Sequence, residues 1–352
     1  MTTRERIRRT LAGELPDRIA VCEISIWPET LERWKSEGLP NYADPIAWLG
    51  MDLLAVSWFD CSLRLPSEVI EDCGEYYIDR DGDGVVWKRW RSHTATPTHL
   101  DTLIKTPDDW YAHRHRLAPS PDRIPADYAE RVRAREEQGF YLAITPVEPM
   151  WWVLMALGFE LGLTFIADYP DVVEDMVAHQ ARLSLALVDM AIEIGKPDAL
   201  WYFSDLCYRN GMLFSPKIFR EILLPHLKRV TEACHDRGLQ TIFHCDGYVG
   251  EFIPLIIEAG FDAIQPLEAR AGNDVRVYKP LYGDRITLFG NISVERLSGT
   301  LEEAEQEVAT KVSVAAAGGR YIFHSDHSVP PSVPLENFRL AVETAKRVGS
   351  YQ

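Results

Sequence analysis

No stretch of this chain approaches the roughly 18 consecutive apolar residues that a membrane-spanning helix needs. Its first residues, MTTRERIRRTLAGELPDR, are charged and lack the apolar centre of a secretory signal. Basic charge is in short supply: 37 Lys and Arg stand against 53 Asp and Glu, a net charge of −16. A nucleic-acid backbone needs a basic surface, so that balance argues against nucleic acid and against anionic membranes. It still leaves room for a local basic pocket. Cysteine is sparse and scattered: Cys22, Cys61, Cys73, Cys207, Cys234 and Cys245 form no CxxC pair. A zinc ribbon and a disulfide scaffold are thereby excluded, and free thiols in a reducing cytoplasm are expected. No GxGxxG or P-loop follows an expected strand, which removes the usual phosphate cradles. The GxSxG of a nucleophile elbow is missing, and so are internal repeats and low-complexity segments.

What is present centres on 241–247, TIFHCDG. A short apolar run of strand type stops there on histidine, cysteine, aspartate and glycine. A second run of the same build, RYIFHSDH, occupies 320–327. In parallel α/β folds the carboxyl ends of the strands carry the chemistry, so two strands ending in His and Asp point to one functional rim.

The rest of the chain supplies the other strands. Apolar runs at 19–24, 52–59, 140–145, 199–203, 240–244, 262–266, 285–289 and 320–324 make eight, most followed by helical periodicity. Helices are expected at 2–13, closed by Gly13, at 28–37, at 215–238 from a Ser-Pro start, at 301–316 and at 334–348. With hydrophobic residues at 46%, 352 residues suit a single (β/α)8 TIM barrel of α/β class over 1–352, with an N-terminal helix. Within 68–92, EYYIDRDGDGVVWKRW reads as a β-hairpin insertion around Asp-Gly-Asp-Gly. A calcium loop would place glutamate where Trp90 stands, so the turn is the better reading.

The polar residues just beyond the strands are Glu23, Ser25, Asp60, Thr145, Glu148, Ser204, Asp205, His244, Asp246, Gln265, Glu268, Asn291, His324, Asp326 and His327. Carboxylates and imidazoles dominate, and no lysine is available for a Schiff base. Such a rim fits metal-assisted or acid–base chemistry. His244 and Asp246, two apart on an extended segment, share a face and suit two ligands of one ion. They suit a buried hydrogen-bonded pair equally well. His327 lies in a Ser- and Pro-rich turn where a histidine can simply hold the loop, and His324 is in phase for core packing. Asp60 and Asp205 have the commoner fate of helix caps as their rival role. Glu268 is a ligand, an acid–base group or a solvated rim carboxylate. Trp27 and Trp58, with Glu148 and Asn291, are the candidate substrate contacts, although tryptophan is more often core. Cys245, between the two candidate ligands, points to the opposite face as packing.

Several segments together carry a resemblance: RERIRRTLAGELPDRIAV, SPKIFREILLPHLKRV before FHCDG, YGDRITLFGNIS, and HSDHSVPPSVPLENF. The chain resembles the uroporphyrinogen decarboxylase superfamily over nearly its whole length. The resemblance implies a (β/α)8 barrel with its site at the carboxyl rim. True decarboxylases carry an arginine-rich segment after the first strand, where this chain reads EISIWPET, so the resemblance implies a substrate other than uroporphyrinogen. Asp60 looks like the aspartate that engages pyrroles in that branch, and His327 like its late histidine. The zinc-dependent methyltransferases of the superfamily, which act on corrinoid proteins and coenzyme M, use a His-x-Cys pair and a late cysteine. Here His244 matches the histidine, while Asp246 and His327 stand at the two cysteine positions.

These readings converge on a metal site of His244, Asp246 and His327, with Asp60, Asp205 and Glu268 as acid–base or orienting groups. Nitrogen and oxygen ligands favour zinc first, then iron, manganese or nickel. The expected activity is a metal-dependent methyltransferase or demethylase reaction on a small organic substrate, with a corrinoid protein as candidate partner and a monomer or homodimer as the assembly. The alternatives are a metal-free decarboxylase and, in another class, a barrel that binds a ligand without turning it over.

Overall fold

A computed structural model describes residues 1–91 and 95–351. Eight strands form one parallel, curled sheet of TIM-barrel type. They are β1 (Ala20–Val21), β2 (Leu54–Trp58), β3 (Tyr141–Thr145), β4 (Ala199–Phe203), β5 (Gln240–Cys245), β6 (Ala263–Pro266), β7 (Thr287–Phe289) and β8 (Tyr321–Phe323). Their order is β1-β8-β7-β6-β5-β4-β3-β2, each paired parallel with the next. Between β1 and β2, at the two ends of that order, the link is one residue. Asp52 donates its N–H to the Val21 carbonyl at 2.7 Å, and its carboxylate accepts the Val21 N–H at 2.9 Å. Arg6 and Arg18 hold the same carboxylate, each at 2.6 Å.

Strand periodicity separates two packing layers. Leu54, Tyr141, Ala143, Ala199, Trp201 and Ile242 point inward as one cluster, and the alternate residues pack outward on the helices. The inner cluster also contains Ile7 and Leu11 from the helix Thr3–Ala12. That helix plugs the amino-terminal end of the barrel. Thr2 caps its start and Gly13, at φ 78°, ends it in the left-handed conformation.

Three expectations need correction. The insertion is larger than a hairpin: Glu68–Asp72, Tyr76–Arg80, Val86–Trp90 and Thr98–Asp101 form a four-stranded antiparallel sheet. Residue 92, its expected end, lies outside the described residues. Asp81 and Asp83 are spent there on turn N–H groups and on the indoles of Trp87 and Trp152. The expected helix 215–238 is interrupted by a wide π turn at Phe219–Leu223. Pro225 has no N–H for the carbonyl four residues back, so the ladder changes register there. The first strand keeps two residues: it pairs along one side with β8, and among the described residues its backbone meets the β2 side through Asp52.

Candidate metal centre

Period-2 alternation carries the inward set Ile242, His244 and Asp246 to the carboxyl rim. Asp205, just beyond β4, meets it there: Asp205 Oδ1 accepts the Asp246 N–H at 3.0 Å. Gly247, at φ 85°, permits the approach, since a Cβ there would stand 2.8 Å from the Cys207 backbone. One ligand atom each from Asp205, His244 and Asp246 lies within 4.8 Å of the others. His244 Nε2 is 3.6 Å from Asp205 and 3.9 Å from Asp246. Tetrahedral ligands about 2.1 Å from an ion stand about 3.4 Å apart, so small side-chain movements would close this set.

The surroundings orient the imidazole. His244 Nδ1 is hydrogen-bonded to Gln265 Oε1, at the register partner of His244 on β6. The ring stacks on Phe203 with centroids 3.9 Å apart and planes 16° from parallel. An Nδ1–H given to the amide oxygen leaves Nε2, with its lone pair, facing the two carboxylates.

Burial and mutual charge set the electrostatics of the three groups. Burial disfavours charge on Asp205, but His244 and the Asp246 N–H outweigh it and hold its pKa below the ordinary carboxylate value. Burial and the Asp205 charge raise that of Asp246. Burial lowers the His244 pKa, yet the two aspartates reverse the direction and raise it. Asp246 Oδ1 is buried without a hydrogen-bond partner among the described residues. Two crowded carboxylates, an oriented imidazole and an orphaned oxygen together fit a divalent ion with hard nitrogen and oxygen ligands.

The same residues line a cavity of about 430 Å³ at the barrel mouth. Ile24, Val56, Trp58, Phe203 and Pro266 form its apolar walls, with His324 and His327 beside them. Trp58 is 57% exposed and packs 5.0 Å from Phe203. Trp27 stands edge-on to His327, centroids 6.4 Å apart.

The other expected site residues are placed as follows. His327 is on the cavity wall, and Asp205, expected in an acid–base role, takes the third position among the clustered ligand atoms. Asp60 is not a cavity residue: it accepts from Ser62 and pairs with Arg64 at 2.7 Å. Neither Asp60 nor Asp205 caps a helix. Glu268 accepts the Gly247 N–H at 2.8 Å and pairs with Arg270. Asn291 is fully buried; its amide accepts from Val275 and donates to the Leu267 and Asn273 carbonyls. Glu148, also fully buried, caps the helix Pro149–Leu157 through the Trp151 N–H. His324 does pack in the core, but as half of an ion pair with Glu23 at 3.0 Å. Gln265 and Phe203 escaped sequence reasoning as site residues. The signal for Gln265 was its equivalent place at the end of the strand following His244.

Comparisons with known proteins agree with this fold. A family model described as "Uroporphyrinogen decarboxylase (URO-D)" matches residues 149–348. A "Uroporphyrinogen decarboxylase" of Pseudoalteromonas translucida is 30% identical over 136 residues, 36% of each chain. One of Coxiella burnetii is 23% identical over 192 residues, 53% of this chain and 51% of that protein. The chain thus covers about half or less of the length of these relatives. A "methyltransferase from Methanosarcina mazei" superposes over 99% of both chains with a TM-score of 0.65 at 17% identity, a likeness of fold.

Proposed function

The chain belongs to the uroporphyrinogen decarboxylase family, and on that premise we propose that it is a metal-dependent enzyme of methyltransferase or demethylase type. It acts on a small organic substrate at the barrel mouth. The observation that carries this reading is the convergence of Asp205, His244 and Asp246 around the unpartnered Asp246 Oδ1. Zinc is the first choice of ion, with iron, manganese and nickel next. Such an ion supplies Lewis-acid polarisation of a substrate oxygen or other donor atom.

The chain's own residues do the rest. Gln265 and Phe203 hold the His244 ring so that Nε2 faces the ligand position. Asp205 and Asp246 carry the negative charge that retains the cation. Trp58, Phe203, Ile24 and Val56 receive the apolar body of the substrate and exclude water from one side. His327, on the cavity wall near Trp27, is the group that holds or moves a proton. A corrinoid protein is the candidate macromolecular partner.

The test is metal analysis of protein purified without added metals, beside His244→Ala. Stoichiometric divalent ion in the wild type and its loss in the variant are expected; a wild type that binds no divalent ion overturns the reading. The names of the relatives favour a second reading, a decarboxylase, which we take as metal-free. It requires carbon dioxide release that chelators leave untouched.

A further inference from the structure

Asp205 and Asp246 have two open sides. One lines the apolar barrel-mouth cavity; the other lines a second cavity of about 760 Å³ at the rim. The second cavity runs between the small hairpin of Cys207–Tyr208 and Gly211–Met212 and the turn Ala269–Ala271. The hairpin is fixed against the ligand loop, because Tyr248 donates its N–H to the Tyr208 carbonyl at 2.9 Å. The two aspartates therefore form a partition, and an ion held between them is reachable from both cavities.

The two sides differ in chemistry. The first is walled by aromatic and aliphatic side chains, whereas the second holds two guanidiniums, Arg209 and Arg270. Arg270 gives its Nε to Glu268, which also accepts the Gly247 N–H, so that carboxylate is already engaged. The terminal nitrogens of Arg270 have no hydrogen-bond acceptor among the described residues. Arg209, exposed at the hairpin tip, has no hydrogen-bond or ion-pair partner among them. A divalent ion would neutralise Asp205 and Asp246. Glu268 and Arg270 balance one another, so Arg209 and the exposed Glu295 remain, and the free N–H groups on this cavity belong to Arg209 and the terminal nitrogens of Arg270.

We propose that this second cavity is the subsite of a second reactant, a small carboxylate, whose anionic group is received by Arg209 and the free arms of Arg270. A guanidinium presents paired N–H donors that match a carboxylate in geometry as well as charge. The arrangement rests on the metal reading above and extends it: an apolar reactant on one side of the partition, an anionic one on the other.

The experiment is calorimetric titration of Co²⁺-loaded protein with succinate and with neutral succinamide of the same length. Wild type binds succinate more tightly, and Arg209→Ala weakens succinate by about tenfold, the size of one charge-assisted contact, while succinamide is unchanged. Arg209→Glu abolishes the preference, and Trp58→Ala, on the other cavity, preserves it. Because Arg209 is at an exposed hairpin tip, its variants fold. Equal affinity for the two probes, or an Arg209→Ala protein that binds succinate like wild type, overturns the proposal. If the wild type takes up no Co²⁺, the metal reading falls by itself. Succinate titrated into Asp205→Asn/Asp246→Asn protein, where the two charges are removed without an ion, then decides the subsite separately: an Arg209-dependent preference supports it, and the absence of one overturns it.

Discussion

His244 and Gln265 are register partners on adjacent parallel strands, and their side chains meet in a hydrogen bond from the imidazole Nδ1 side to the amide oxygen. Strand pairing thus fixes which ring nitrogen is left for a cation. Gln265→Ala is expected to lower divalent-ion affinity by about 10- to 100-fold, as for other outer partners of ligand histidines. Competition with a chelating dye measures it, and circular dichroism checks the fold. Unchanged affinity would show that Phe203 stacking alone orients the ring.

Asp52 joins β1 to β2 and carries the charge that Arg6 and Arg18 face. It is 1% exposed. Asp52→Ala removes the acceptor of the Val21 N–H and leaves Arg6 buried without this partner. A loss of about 3–5 kcal/mol in urea denaturation is expected, as when one member of a buried pair is deleted. A loss below about 1 kcal/mol, the range of surface pairs, would mean that the seam is held elsewhere.

Glu148 gives a pH signature. Burial, only partly offset by the Trp151 and Met150 N–H groups, pushes its pKa up to about 7 from an ordinary 4.5. The fold therefore favours the neutral acid. Its stabilising contribution is complete below pH 4.5 and is lost as the pH rises through 7, a change on the order of 3 kcal/mol. Glu148→Gln, always neutral, should flatten that part of the stability profile. Relative to wild type it gains between pH 5 and pH 8, and parallel profiles would contradict this.

Glu23 and His324 staple the first strand to the last, both nearly inaccessible. Burial works against the Glu23 charge, but His324 and Ser325 overcome it and keep its pKa low. His324→Ala should cost about 3–5 kcal/mol by removing the imidazole that faces the buried Glu23 charge, and Glu23→Gln/His324→Ala, which keeps an acceptor for Ser325 and the Ile24 and Ser25 N–H groups, should recover part of it. If the effects of His324→Ala and Glu23→Gln alone simply add in the double variant, the pair carries no coupling.

Local pattern made much of the fold legible. The eight apolar runs became the eight strands, and Thr2, Gly13 and Ser215 act as the caps that their residue types imply. These features depend on neighbours within a few positions. The extent of the insertion did not follow from them: Thr98–Asp101 alternates too little to read as a strand and exists by pairing with Val86–Trp90.

For the site, the sequence by itself determined the rim: His244 and Asp246 share a face because side chains alternate along an extended segment. It also placed Asp205, Glu268 and Asn291 just past their strands and Gln265 at the end of one. Only the tertiary structure decided what each one does there. Asp205 joins the ligand atoms because Gly247 lets its loop touch theirs, and Asn291 is drawn inward because three backbone groups lack other partners. Asp60 is held off the cavity by Arg64, whose partner is chosen by loop geometry. Alternation is a property of covalent geometry and can be read along the chain. Which polar groups satisfy one another depends on contacts between strands and loops far apart in sequence, and these exist only once the sheet has curled.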